Sequence, residues 1–305
     1  MFVGHAFVAF AIGATGAVRL GASRRRALLF GVTAAAFATV PDVDVLVAVL
    51  GLLRAGPDGV WAATAAFWAA SQAVHRAVTH SLLLALPAAG GFALAAGRRF
   101  RPVAAVPLAG LVAIGWLAEG PLAAAMLGLF ALAGLAVARL AAGHGLGRRA
   151  VLAAALLGLL SHPFGDLFTG TPPSLFYPLE AAVVGERVTL LADPTLNLLG
   201  VFGLELAAIW LGVAVAARFA GWSLATAIDR RAAAGALYGV AAFLLPPPTL
   251  ETSYHFVFSV LAVGSVGAAP LSRRIDRERA ARAAVTGLAG VSLAGAAYAA
   301  VYALA

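Results

Sequence analysis

The sequence contains no cysteine, which excludes disulfides, thiolate metal sites and cysteine nucleophiles together. It also carries little charge. Of its 305 residues, 11% are charged and 62% hydrophobic, where soluble domains have about 25% charged and about 45–50% apolar residues. A soluble chain of this length cannot bury that much apolar surface in one core. A bilayer solvates it, at about 20 apolar residues per spanning helix. Lysine is absent as well, and all 21 basic residues are arginine. The net charge of +8 would suit nucleic acid, but the arginines lie in short clusters between apolar runs rather than along one helix face. That pattern reports topology, and no nucleic-acid partner is expected. The opening segment, MFVGHAFVAFAIGATGAVRL, lacks a basic leader region and a cleavage site, and is expected to be a first span.

What is present points to helices. Ala, Leu, Val and Gly dominate, which favours helices packed through small residues over a barrel of alternating strands. The expected fold is all-α, a polytopic transmembrane helix bundle of about ten spans. These lie near 2–18, 27–54, 60–97, 102–118, 121–141, 150–168, 196–217, 232–248, 253–271 and 283–304, with broken or kinked helices near Pro41 and the 75–81 motif. The extended polar stretch at 170–195 reads as a loop cap. Arginine clusters (Arg19 with Arg24–Arg26, Arg98–Arg101, Arg139 with Arg148 and Arg149, Arg218 with Arg230 and Arg231, Arg273–Arg282) fall in every second loop. If those loops are cytoplasmic, both termini face outside a cell (inner or plasma) membrane.

Ionisable side chains inside spans cost about 2.5–3.5 kcal/mol each on insertion scales and are functional candidates. Here they form four groups: His5; Asp42 and Asp44; His75, Arg76 and His80 with Thr79 and Ser81; and His162 with Asp166. At about 1.5 Å per residue, all four groups reach the outer half or the midplane of one bundle. His162 and Asp166, four apart, share a helix face. Asp42 and Asp44 diverge on a regular helix, but Pro41 disfavours helix at Val40, so an unwound turn would let both point one way. His75 and His80, five apart, meet one centre only if their segment bends, or else serve two.

Each group has a structural explanation too. A histidine in a membrane helix is usually an interhelical hydrogen bond, Asp44 could cap a helix, and Arg76 could snorkel. His144, in the basic loop HGLGRR, reads as solvated, and His255 beside Tyr254 is undecided. Clustering tips the balance, since four of the six histidines and three of the seven aspartates fall in these groups. The candidate ligands are His5, Asp42, Asp44, His75, His80, His162 and Asp166. Imidazoles with carboxylates suit Zn²⁺, with Mn²⁺ or Fe²⁺ as alternatives, and the surplus of ligands accommodates one ion or two.

The order of these elements is distinctive. An early His5, PDVD at 41–44, HRAVTHS at 75–81 and HPFGDLFT at 162–169 resemble the family of LexA-binding, inner-membrane-associated metal-dependent hydrolases. The resemblance covers roughly residues 1–200. Residues 201–305 carry no matching motif, and spans four and five are an insertion relative to the core pattern. It implies a membrane-embedded metal-dependent hydrolase. The HxxxD with further His and Asp on neighbouring helices is also similar in type to the all-helical zinc-dependent phospholipase C group. LexA binding is not carried over to this chain. The expected chemistry is hydrolysis of a phosphoester, lipid-linked in one form, by a metal-activated water. Asp42 or Asp44 would act as general base and Arg76 would steady the anion. The rival is a metal- or proton-coupled transporter with a midplane His/Asp site. Neither PDVD nor HRAVTHS recurs in the second half, as an inverted repeat would require.

Overall fold

A computed structural model describes residues 3–47, 49, 59–74, 76, 78–179, 181, 183–268 and 276–305. Among the described residues all regular structure is helical. The chain divides into two compact units, Met1–Val188 and Thr189–Ala305.

In the first unit, α1 (Gly4–Arg19) packs on α2 (Arg24–Ala38), and a 3₁₀ turn follows at Pro41–Val47. Pro41 disfavours helix at Val40 and removes a donor, so α2 ends short of it. Next come α3 (Val60–Val74), α4 (Leu82–Ala96), α5 (Arg101–Glu119), α6 (Pro121–Gly143) and α7 (Arg148–Asp166). Helix α7 lies against α2 and α4, and α5 and α6 pack on α4. A ladder of Phe37, Phe92 and Phe130 fills the middle, with ring centroids 5.5 and 6.1 Å apart. At the α2–α7 crossing Gly158 lets the backbones touch, since a Cβ there would stand 2.5 Å from the Ala34 carbonyl oxygen. Ser81 caps α4 by accepting from the Leu84 N–H (3.2 Å).

In the second unit, α8 (Pro194–Ala220), α9 (Tyr254–Ala262) and α10 (Arg277–Leu304) are joined by 3₁₀ stretches at Arg230–Val240 and Val263–Gly267. Both stretches lie on α10. Their contact is backbone on backbone, because a Cβ on Gly235 would fall 2.1 Å from the Gly290 carbonyl oxygen. Tyr298, Phe256 and Val260 are fully enclosed.

The expected count of spans needs correction. Among the described residues, four helices are long and apolar enough to cross a membrane: Arg98–Glu119, Pro121–Gly143, Pro194–Ala220 and Glu278–Leu304. These answer to expected spans four, five, seven and ten. The run 27–54 divides at Pro41, and 60–97 divides into two 15-residue helices around Arg76, whose φ is +75°. The run 232–248 is mostly 3₁₀ and ends in Pro246–Pro248, and 253–271 supplies only nine α-helical residues before turning 3₁₀. Helix α1, with 16 residues, reaches about 24 Å against a hydrocarbon thickness of about 30 Å. In α7, the charged residues at both ends lower an otherwise apolar stretch.

Candidate metal centre

The ends of α1, α2 and α7 meet at one place. His5 stands in the first turn of α1, and Ala38 closes α2 just before the turn that carries Asp42 and Asp44. His162 and Asp166 occupy the last turn of α7. The turn before α4 supplies Arg76, Thr79 and His80. The opposite ends of α1, α2 and α7 carry Arg19, Arg24–Arg26 and Arg148–Arg149. The 15 residues of α2 put about 22 Å between its arginines and the cluster. The cluster therefore sits at the arginine-poor end of this unit.

Within it, one ligand atom each from Asp42, His80, His162 and Asp166 lies within 4.8 Å of all the others. The Nε2 atoms of His80 and His162 face each other at 3.0 Å. Asp166 Oδ2 is 3.1 Å from His80 Nε2 and 3.4 Å from His162 Nε2. Asp42 Oδ1 is 3.4 Å from His162 Nε2 and 3.8 Å from His80 Nε2. His80, His162 and Asp166 are buried, while the Asp42 side chain keeps 23% of its surface exposed.

The partners on the far nitrogens fix both tautomers. His162 Nδ1 lies 2.6 Å from the Ala38 carbonyl oxygen; a carbonyl only accepts, so Nδ1 carries the hydrogen. The Thr79 hydroxyl donates to Asp44 Oδ2 (2.9 Å), which leaves its oxygen to accept from His80 Nδ1 at 3.0 Å. In the neutral rings both Nε2 atoms then present lone pairs to each other and to two carboxylate oxygens. Such a set repels itself unless a metal ion or a proton sits among its members. Its spacing fits a metal. Bonds of about 2.0–2.2 Å place tetrahedral ligand atoms roughly 3.3–3.6 Å apart, and the five separations above run from 3.0 to 3.8 Å.

Comparison with known proteins agrees on the class of molecule. The family model described as YdjM inner membrane protein matches residues 1–242. The chain belongs to this family. It is accordingly a membrane protein, and its family match runs through the whole cluster and on past residue 200. No curated protein and no solved structure matches the chain.

In this member of the YdjM family the remaining candidates stand around the four. Asp44 accepts from the Arg76 backbone N–H (3.1 Å) and from Thr79, and its Oδ2 lies 3.6 Å from His80 Nδ1. The two aspartates of PDVD therefore address the two nitrogens of one imidazole. His5 Nε2 is 3.3 Å from Asp166 Oδ1, and its ring lies 4.0 Å from that of His162. Arg76 is the one non-glycine residue with positive φ among the described residues, a conformation that tertiary contacts must hold. Its guanidinium donates to the carbonyl oxygens of Asp166 (3.4 Å), Thr169 and Thr171 (3.2 Å) and to the Thr169 hydroxyl, and it pairs with the Asp166 carboxylate. His75 lies outside the described residues.

Sequence reasoning missed two features here. The Ala38 carbonyl carries no side-chain signal. The loop after α7 is tied to the HRAVTHS turn by Ser174 N–H to the Arg76 carbonyl, Leu82 N–H to the Leu175 carbonyl, and Ser81 Oγ to the Tyr177 carbonyl. In that loop, burial with Glu119 nearby pushes the Tyr177 phenol above its usual pKa. A third omission lies in the second unit, where Glu205 is buried on α8 within the span expected at 196–217.

Proposed function

We propose that this chain is a membrane-embedded metal-dependent hydrolase of phosphoesters. The observation that carries the reading is the pair of buried imidazoles whose Nε2 atoms face each other at 3.0 Å between two carboxylates. Asp42, His80, His162 and Asp166 would hold one divalent ion. Two nitrogens and two oxygens favour Zn²⁺ over a hard, all-oxygen ion, with Mn²⁺ or Fe²⁺ as alternatives. Such an ion supplies Lewis-acid chemistry at a phosphoryl oxygen.

The chain's own residues do the rest. Ala38 holds His162, Thr79 and Asp44 hold His80, and His5 and Arg76 hold Asp166. Orienting partners of this kind set tautomer and ligand basicity. Asp42, the most exposed of the four, would take the proton from an attacking water on its oxygen other than the Oδ1 that faces the histidines. As the new P–O bond forms, the bond to the leaving alkoxide breaks, and the same carboxyl group passes the proton to that oxygen. Arg76 acts here as a positioning residue, because its two terminal nitrogens are taken up by loop carbonyls, the Thr169 hydroxyl and the Asp166 carboxylate. Buried ligands with fixed partners suit a retained ion better than a cargo that must be released, which favours hydrolysis over transport. The arginine-poor position of the cluster supports a site toward the outer face, with the N-terminal end of α1 on that side.

The test is metal content and phosphoesterase activity of the purified protein on 4-nitrophenyl phosphate and a panel of phosphoesters, wild type against Asp166→Ala. Activity that requires a divalent metal and is lost in the variant is expected. Activity indifferent to metal, or retained in Asp166→Ala, overturns the reading, as does release of the metal across vesicles carrying the wild-type chain.

A further inference from the structure

Ten arginines collect at one end of the first unit. Four lie at the α1–α2 connection (Arg19 and Arg24–Arg26), three at the α4–α5 connection (Arg98, Arg99 and Arg101) and three about the α6–α7 connection (Arg139, Arg148 and Arg149), and all are exposed. The second and third connections meet. The Arg148 guanidinium lies 4.1 Å from the centre of the Phe100 ring, and a Cβ on Gly97 would stand 2.9 Å from Arg148 Cδ. No Asp or Glu occurs in residues 1–41, 81–118 or 120–165, and Asp42, Asp44, Glu119 and Asp166 belong to the opposite helix ends. Topology alone does not ask for this. The rule that keeps arginine on the cytoplasmic side counts cations and gives carboxylates little weight, so neutralised arginines would serve it equally. The second unit has that form, since Arg231 pairs with Asp229 (3.0 Å), Arg279 with Asp276 (3.5 Å) and Arg282 with Glu278 (2.9 Å). In the first unit like charges stand together without carboxylates, and anions from outside the chain relieve their repulsion.

We infer that the arginine end of the first unit is a docking surface for anionic phospholipid headgroups, centred on Arg98, Arg99, Arg101, Arg148 and Arg149. Two features favour a lipid over a soluble anion. Helices α5 and α6 are long and apolar enough to cross a membrane, so the arginines at their ends stand at headgroup depth. Exposed aliphatic side chains border the arginines as well. Leu20 beside Arg19, Val103 and Val106 in the first two turns of α5, and Leu140 beside Arg139 are 53% to 89% exposed. A phosphate held by guanidinium forks leaves its acyl chains against such side chains. Each arginine near an anionic membrane surface adds about a fivefold gain in affinity, and salt weakens that gain. The surface lies at the far end of α2 from the metal centre and does not rest on the hydrolase reading.

The test measures binding of phosphatidylglycerol and of phosphatidylcholine with matched acyl chains to the detergent-purified full chain, by native mass spectrometry. Wild type is compared with Arg98→Gln/Arg99→Gln/Arg101→Gln and Arg148→Gln/Arg149→Gln, which strip the surface, and with Arg279→Gln/Arg282→Gln, which removes paired arginines of the second unit. Wild type should bind phosphatidylglycerol at least tenfold more tightly than phosphatidylcholine. That preference should fall at least fivefold in one stripped variant or both, and persist in the Arg279→Gln/Arg282→Gln protein. Equal affinity for the two lipids in wild type overturns the surface without recourse to any variant, and so does a preference that is the same in all four proteins. Competition then identifies the anion. Phosphatidylglycerol that stays bound against a tenfold excess of inorganic phosphate or of a single-stranded oligonucleotide supports the lipid. Displacement by either overturns the lipid assignment and marks the surface as a site for a soluble anion.

Discussion

Replacing Gly158 by alanine should weaken metal binding from a position whose side chain touches no ligand. A Cβ at 158 would stand 2.5 Å from the Ala34 carbonyl oxygen, 2.6 Å from the Ala38 nitrogen and 2.7 Å from the Phe37 Cβ. Ordinary contact begins near 3.4 Å, so α7 must retreat from α2 by roughly 0.9 Å at this point. His162 lies one turn further along the same face of α7, and its Nδ1 donates to Ala38 across that gap at 2.6 Å. The same retreat lengthens this bond to about 3.5 Å, where it ceases to count. Overpacking costs about 1–3 kcal/mol and an unmade buried hydrogen bond about 1–3 more. Freeing a ligating imidazole from its orienting partner lowers metal affinity by about 10- to 100-fold. Thermal unfolding in detergent reads the first effect, and titration against a chelator of known affinity reads the second. Gly90→Ala is the control, since a Cβ there meets nothing within 4 Å. A Gly158→Ala protein with wild-type affinity and unchanged unfolding temperature would show that the α2–α7 crossing does not set the centre.

Three further outcomes follow from the same contacts. Thr79→Val removes the hydroxyl that donates to Asp44 and accepts from His80 Nδ1; metal affinity should fall about 10- to 100-fold in chelator competition, and an unchanged value argues against this control of the tautomer. Arg76→Lys cannot reproduce a planar fork that reaches three carbonyls and a carboxylate; limited proteolysis should cut within 167–193 faster than in wild type, and identical cleavage rates would contradict the clamp. A reporter active only in the cytoplasm, fused after Ala305, should stay silent if the arginine clusters mark the cytoplasmic side at this end of the chain as well; a signal reverses the orientation.

The site was more legible than the helices around it. Residue type and spacing singled out His5, PDVD, HRAVTHS and HPFGD, because ionisable groups are rare in so apolar a chain. The structure brings Asp42, His80, His162 and Asp166 together and sets His5, Asp44, Thr79 and Arg76 around them. The division of labour was not legible, since it depends on which nitrogen of each ring faces inward and on a backbone carbonyl at Ala38. Span lengths were misjudged because hydropathy reports composition and is blind to helix type. Gly235 and Gly267 let two apolar runs pack backbone to backbone on α10 in 3₁₀ form, and a 3₁₀ or broken segment is as apolar as a continuous α-helix. The break at 75–81 was expected, but its backbone form was not, as a positive φ on the non-glycine Arg76 leaves no trace in local propensity.

The central claim is that Asp42, His80, His162 and Asp166 form one divalent metal centre. Elemental analysis of protein purified without added metal, set beside His80→Ala, His162→Ala and His144→Ala, tests it most directly. His144 is exposed in the loop after α6. Close to one equivalent of a divalent transition metal is expected in wild type and in His144→Ala, with little in the other two. Equal metal content in all four proteins, or none in wild type even after reconstitution with Zn²⁺, Mn²⁺ or Fe²⁺, would contradict it.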